Sequence, residues 1–211
     1  MKIVVIGGGD EPSESILKEE IKNSKYIVCA DSGANCLYKY HIIPDYIMGD
    51  FDSIDKSVLN YFKNKNVIVE NFPKDKDFTD GCLAVKKAIE LKATEVVLLG
   101  CTGNRIDHVL GNLGLLGICL ENNIRAYMRD NNNKIMLTNK SLILKSNSNK
   151  YFSLQAYGEV VKGVTLTNAK FPLKDYNLKM GDTLTTSNEF TKEDLHIDFK
   201  SGILMIIISN D

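Results

Sequence analysis

Val96-Val97-Leu98-Leu99-Gly100-Cys101-Thr102-Gly103-Asn104-Arg105-Ile106-Asp107-His108 begins with four consecutive apolar residues. It crosses a glycine-punctuated polar loop and enters a mostly apolar stretch that continues to Asn122. A short apolar run ending in glycine reads as a strand buried on both faces, and the longer stretch after it as a helix. The same strand–loop–helix unit recurs upstream. Ile3–Ile6 ends in Gly7-Gly8-Gly9 and is followed by a helical stretch with Ile16, Leu17 and Ile21 on one face. Tyr26–Ala30, Tyr46–Met48 and Val67–Val69 are further strands. Helices are expected at Ala34–Tyr40, around Val58, Leu59 and Phe62, and from Phe78 to Lys92, where apolar residues fall at 78, 82, 85 and 89. Strands alternating with helices at this spacing predict an α/β domain with a mostly parallel sheet covered on both faces.

Beyond Asn131-Asn132-Asn133 the helical period disappears. Short runs replace it at Ile135–Leu137, Leu142–Leu144, Tyr151–Tyr157, Val160–Leu166, Thr183–Thr186, Leu195–Phe199 and Ile203–Ile208, several of them alternating. Turn residues separate them at Ser146–Asn149, Met180–Asp182 and Lys200–Gly202. This is the signature of an all-β domain, sandwich or barrel-like. The expected division is residues 1–128 and 129–211.

The 211 residues suit one to two domains. Apolar residues at 44%, charged residues at 25% and a net charge of -1 are ordinary for a globular chain. Near-neutral charge excludes a broad basic surface, so no nucleic-acid partner is expected. No apolar run reaches the ~18 residues of a membrane span, so none is expected to cross one. Met1–Ile6 reads as a strand and not as a secretory leader. Five cysteines, at 29, 36, 82, 101 and 119, are an odd and scattered set. They point to reduced thiols and a cytoplasmic location.

Ligands of an open parallel sheet bind beyond the carboxyl ends of its strands. Those ends carry Asp31-Ser32-Gly33-Ala34-Asn35, Gly49-Asp50-Phe51-Asp52-Ser53, Lys74-Asp75-Lys76-Asp77-Phe78-Thr79-Asp80 and the loop from Gly100 to His108. Two carboxylates about 4 Å apart repel by roughly 4 kcal/mol at an effective dielectric near 20. Several of them in one crevice call for a cation, and oxygen ligands without histidine or thiolate select Mg2+ or a similar ion serving phosphates. In an extended segment Asp50 and Asp52 share a face and reach one ion, although Asp-x-Asp is also an ordinary turn former. Asp77 and Thr79 both stand where the 78–92 helix begins, and either suits its N-cap. Lys74 and Lys76 add positive charge there. Arg105 offers phosphate a fork of donors, and Asp107 and His108 either cap the next helix or orient Arg105.

Together these four segments, in this order, resemble thiamine pyrophosphokinase (thiamine diphosphokinase), and Thr186-Ser187-Asn188-Glu189 is similar to that family's late Ser-Asn segment. The resemblance implies an enzyme that transfers the pyrophosphoryl group of ATP to the hydroxyl of thiamine, giving thiamine diphosphate and AMP. It implies Mg2+ and a homodimer with the site shared between subunits. An α/β catalytic domain would bind ATP and Mg2+, and a β domain would bind thiamine and dimerise. Carried over by motif, Asp31, Asp50, Asp52 and Asp80 surround the metal and phosphates, with Asp50, Asp52, Asp77 and Asp80 as the catalytic set. Lys76, Asp77 and Arg105 meet the phosphate chain, Asp107 lies at the nucleotide end, and Asn35, Ser53, Thr79 and His108 complete the nucleotide site. Ser187 and Asn188 meet the thiamine pyrimidine. The chain has no tryptophan, so the ring that some relatives stack on thiamine needs a substitute, for which Phe190 is a candidate.

Two other readings compete. Asp50-Phe51-Asp52 mimics the nucleophile motif of haloacid-dehalogenase-type phosphatases, but that motif is expected after the first strand and here follows the third. A nucleotide-sensing module would bind ATP without turnover.

Overall fold

The computed structural model describes residues 1–147 and 150–210. The turn expected at 146–149 lies partly outside the described residues. The chain divides into two compact units, Met1–Asn131 and the remainder from Asn132 onward.

In the first unit the strands are β1 (Lys2–Ile6), β2 (Tyr26–Ala30), β3 (Tyr46–Gly49), β4 (Ile68–Asn71), β5 (Glu95–Leu99) and β6 (Arg125–Arg129). They lie in the order β6-β5-β1-β2-β3-β4 and every pair is parallel. Ile3–Ile6 and Val96–Leu99 are fully buried, as central parallel strands with helices on both faces require. The helices are α1 (Glu14–Ile21), α2 (Gly33–Lys39), α3 (Lys56–Lys63), α4 (Asp80–Glu90) and α5 (Ile106–Glu121). Leu17, Leu37, Val58 and Phe62 pack with Val4, Ile6, Cys29 and Ile47 in one core. From β1 the chain builds outward to β4, then returns to place β5 on the other side of β1. The carboxyl ends of β1 and β5 therefore form the switch point at which open sheets bind ligands. Strand β6 is not expected from the sequence: arginines at both ends mask a short segment in which Met128 alone is fully buried.

The second unit contains two antiparallel arrangements. One is β12 (Asn188–Glu189), β9 (Tyr151–Ala156), β14 (Leu204–Ser209) and β7 (Asn133–Thr138), and the other is β11 (Leu173–Leu178), β10 (Val161–Thr167), β13 (Leu195–Asp198) and β8 (Leu142–Leu144). Phe152, Leu154, Leu204 and Ile206 from the first meet Val164, Leu166, Leu195 and Ile197 from the second in a single core. That is a β-sandwich. Two details depart from the sequence reading. Thr183–Thr186 is a turn and not a strand, held by the Thr185 hydroxyl donating to the Leu154 carbonyl at 2.6 Å. β11 is a polar edge strand whose Lys174 and Asp175 face solvent, so it lacks the apolar alternation that would announce it. Among the described residues no helix is long and apolar enough to cross a membrane.

A buried carboxylate fastens α1 to the sheet. Glu20, 4% exposed, accepts from Lys2 Nζ at 2.7 Å, Tyr127 Oη at 2.6 Å and Arg129 Nη1 at 2.5 Å. Burial alone would raise its pKa, but the bonds from Lys2, Tyr127 and Arg129 outweigh burial and hold it below the usual glutamate value. A lowered carboxyl pKa gives stability that is complete above the unfolded-state value and is lost as pH falls through the folded one. Glu20→Gln is therefore expected to cost about 3 kcal/mol at neutral pH, and to leave a shallower acid limb than the parent in urea unfolding measured from pH 3 to 7.

Candidate active site

At the switch point, backbone takes the place of side chains. Gly7 N donates to Leu99 O at 2.8 Å, Gly9 N to Gly100 O at 2.7 Å and Asp10 N to Thr102 O at 2.8 Å, so the two glycine loops run side by side. A Cβ on Gly100, whose φ is +62°, would stand 2.3 Å from Gly7 O. The loops line an open cleft of about 1210 Å³ that also receives Asp31, Asp52, Ser53, Lys76, Asp77, Thr79, Asp80, Arg105, Asp107 and His108.

Three carboxylates converge beside it. Ligand oxygens of Asp31, Asp50 and Asp52 lie within 4.8 Å of one another. Two residues in left-handed conformation bring them there, Asp31 at φ 42° and Phe51 at φ 62°. Of the two geometries open to Asp50–Asp52, an extended segment or a turn, the structure has the turn, in which Asp52 N donates to Asp50 Oδ1 at 3.1 Å. The turn and the metal-type cluster are the same structure. Such a φ costs on the order of 1–3 kcal/mol at a non-glycine residue, and Phe51 is kept in it by packing against the core. Gly49 admits the cluster: a Cβ there would lie 3.1 Å from Asp31 Cβ and 3.3 Å from Asp80 Cγ. Asp80 therefore stands across Gly49 from Asp31.

The charges are unevenly balanced. Lys76 Nζ lies 3.0 Å from Asp80 Oδ1 and 3.5 Å from Asp50 Oδ2. Burial opposes its charge, yet Asp80 and Asp50 together raise its pKa. Asp52 is bound by Lys74 at 2.9 Å and by the Ser53 hydroxyl at 2.8 Å, and Lys74 foremost, then Ser53, lower its pKa. Asp31 has no such cation. It is 8% exposed, its Oδ1 is buried without a hydrogen-bond partner, and its pKa is raised by burial first, with Asp80, Asp50 and Asp52 adding repulsion. An orphaned buried carboxylate oxygen beside two further carboxylates fits a hard divalent cation.

The remaining expected residues separate by role. Thr79 is the N-cap of α4, accepting from Cys82 N at 3.2 Å, so Asp77 is not the cap. Arg105 and Asp107 are paired at the cleft mouth through Nη2–Oδ2 at 2.6 Å, so Asp107 orients Arg105; the N-cap position of α5 is Arg105 itself. Asn35 does not line the cleft; its Oδ1 accepts from Asp55 N at 3.2 Å, at the start of α3. Thr102 and Asp10 also line the cleft; the sequence places both at strand ends on the ligand side without giving either a role, and Thr102 Oγ1 is buried without a partner.

In the second unit Ser187 sits at φ 54° with its N–H donating to Ser153 Oγ at 3.0 Å. Asn188 is 3% exposed. Its amide accepts from Phe171 N at 3.1 Å and donates to Phe171 O at 2.8 Å. That pair of bonds fixes the backbone of Phe171, whose ring is 56% exposed. Phe190 is unsuited to stacking on a ligand: it is buried in the core, 5.0 Å from the Phe152 ring. The exposed ring beside Ser187-Asn188 is Phe171, and sequence distance from that segment concealed it.

These parts define an α/β cleft whose carboxylate cluster fits a hard cation, in a chain whose second unit is a β-sandwich. Residues 17–128 match the family described as thiamin pyrophosphokinase, catalytic domain, and residues 140–204 match thiamin pyrophosphokinase, vitamin B1 binding domain. A thiamine pyrophosphokinase of Bacillus subtilis (strain 168) is 33% identical over 183 residues, 86% of this chain and 86% of that protein. The crystal structure of the Bacillus subtilis thiamine pyrophosphokinase superposes with a TM-score of 0.89 at 29% identity, covering 100% of both chains. That of the Geobacillus thermodenitrificans protein gives 0.85 at 29% identity, over 100% of this chain and 98% of the other. The chain belongs to the thiamine pyrophosphokinase family. Neither the phosphatase nor the sensing-module reading finds support in these matches.

An acid whose folded pKa is raised is most stabilising while protonated, and it costs stability as pH rises through that folded value. Asp31→Asn is accordingly expected to raise stability at pH 8 without metal by roughly 1 kcal/mol, about 2–4 °C in Tm for a chain of this size. Scanning fluorimetry checks this, and the variant is expected to lack the Mg2+-dependent rise in Tm expected of the parent.

Proposed function

We propose that the chain transfers the pyrophosphoryl group of ATP to the hydroxyl of thiamine, releasing AMP, with Mg2+ and as a homodimer whose sites are shared between subunits. The observation that carries this reading is the Asp31–Asp50–Asp52 cluster with its orphaned oxygen, facing Asp80 and Lys76. Asp31, Asp50 and Asp52 would hold Mg2+, with Asp80 beside them. The ion supplies charge neutralisation to a polyphosphate.

The protein's own groups do the rest. Lys76 and Arg105 offset charge on the phosphate chain, and paired Asp107 keeps the Arg105 fork aimed at the cleft mouth. Thr79, as cap, fixes the start of α4, and Ser53 fixes the Asp52 carboxylate. His108 borders the same cleft. The thiamine oxygen forms a bond to the β-phosphorus while the bond from that phosphorus to the AMP oxygen breaks. Positioning and charge neutralisation supply most of the acceleration in such transfers. The hydroxyl proton passes to an aspartate. Asp52 and Asp77, which both line the cleft, are the two candidates for that role, and Asp77 is free of capping duty.

Thiamine is assigned to Ser187 and to the Phe171 ring that Asn188 positions. A shared site is supported by the exposed apolar face of α5. Ile106 and Leu110 are 65% and 60% exposed, and a Cβ on Gly111 or Gly114 would meet nothing within 4 Å. Apolar faces of this kind mark contact surfaces. The five cysteines are free and buried, in keeping with a reducing, cytoplasmic setting.

With ATP, Mg2+ and thiamine, separation of the nucleotides is expected to show AMP and not ADP. Asp50→Asn is expected to lower the rate at least about a hundredfold with an unchanged circular-dichroism spectrum; orthophosphate without AMP would contradict the reading. Phe171→Ala is expected to raise KM for thiamine about tenfold with KM for ATP unchanged. Refolding Asp50→Asn together with Phe171→Ala, assayed at thiamine well below KM, is expected to recover roughly a quarter of parental activity, because half of the dimers then carry one intact shared site. Activity no higher than the roughly one-twentieth that Phe171→Ala subunits supply by themselves would place each site within one subunit.

A further inference from the structure

Phe78 interrupts the charged run from Lys74 to Asp80. It is 46% exposed, and it is the one Phe, Tyr or Trp side chain among the described residues that line the cleft. A phenyl ring left half in water among lysines and aspartates forfeits much of its burial free energy. One structural explanation is a hydrophobic staple: Phe78 precedes the N-cap Thr79, and the matching position inside α4 is Leu83. A staple has no need of an aromatic ring. The arrangement around the ring has a second feature, because Lys86 Nζ lies 2.9 Å from its centroid. The ammonium caps one face and restrains the ring, which meets the cleft with the rest of its surface.

We propose that Phe78 stacks on the adenine of ATP and sets nucleotide affinity; the nucleotide's presence in this cleft rests on the pyrophosphokinase reading, whereas the contact rests on the ring. Phe78 lies two residues from both Lys76 and Asp80, so a base carried on the phosphate chain they hold comes within its reach. The alternative heteroaromatic ligand is thiamine, and two observations disfavour it here. Its thiazolium is a cation, and Lys86 already occupies the ring's attraction for positive charge. The residues that match the vitamin B1 binding domain are 140–204, in the other unit, where Phe171 is exposed.

The test is calorimetric titration of the full chain with Mg2+-ATP and with Mg2+-tripolyphosphate, which has no base. Phe78→Leu keeps the staple and removes the aromatic face, and Phe78→Tyr keeps both. ATP is expected to bind the parent more tightly than tripolyphosphate. Phe78→Leu is expected to weaken ATP about tenfold and leave tripolyphosphate unchanged, with Phe78→Tyr close to the parent. The proposal is overturned if Phe78→Leu binds ATP like the parent, if it loses both ligands equally, or if only KM for thiamine rises. Failure of the pyrophosphokinase reading would appear separately, as an unmutated chain that forms no AMP from ATP and thiamine.

Discussion

Repulsion among carboxylates that the fold forces together is the constraint from which the rest of the first unit follows. One carboxylate oxygen each of Asp31, Asp50 and Asp52 lies within 4.8 Å of the others, with Asp80 close by, and like charges at such distances repel. Lys76 and Lys74 relieve part of this repulsion at Asp80, Asp50 and Asp52. Asp31 is left buried with an unmatched oxygen. A chain selected only for stability would remove that residue. Its presence, in a strained backbone conformation, is what the proposed cation site would require.

The scaffold makes that strain tolerable. The continuous apolar runs of β1 and β5 bury completely, and the interlocked glycine loops at their ends leave no room for side chains. The sheet therefore presents a close-packed backbone rim where a phosphate chain would enter. Away from the rim, the Glu20 cluster fixes α1, and the two-layer core of the second unit supports Ser187 and the strand β12 that begins at Asn188.

Most of the architecture was legible because periodicity reports burial. Parallel strands such as Ile3–Ile6 and helices such as α4 announce themselves, and the loss of the helical period after Asn131 marks the change of class. β6 and β11 were not legible, one masked by flanking arginines and the other polar along a sheet edge. Thr183–Thr186 misled because its alternation comes from a turn whose hydroxyl is bonded to Leu154. At the site, residue type and strand-end position identified the carboxylates. They offered Thr79 and Asp77 alike as the cap of α4, and the structure takes Thr79; they did not reveal the left-handed turn at Phe51 or the structural use of Asn35, which depend on the fold around them. The exchange of Phe190 for Phe171 has the same origin. Burial decides which ring is available, and burial of a single residue in a β-domain depends on pairing that sequence order does not display.

One divalent cation is expected to join these carboxylates to the phosphate chain. A crystal grown with Mn2+ and a non-hydrolysable ATP analogue tests this by anomalous diffraction. A manganese peak is expected within coordination distance of oxygens from Asp31, Asp50 and Asp52 and of a phosphate oxygen. A nucleotide bound in the cleft with no metal signal at those carboxylates would contradict it.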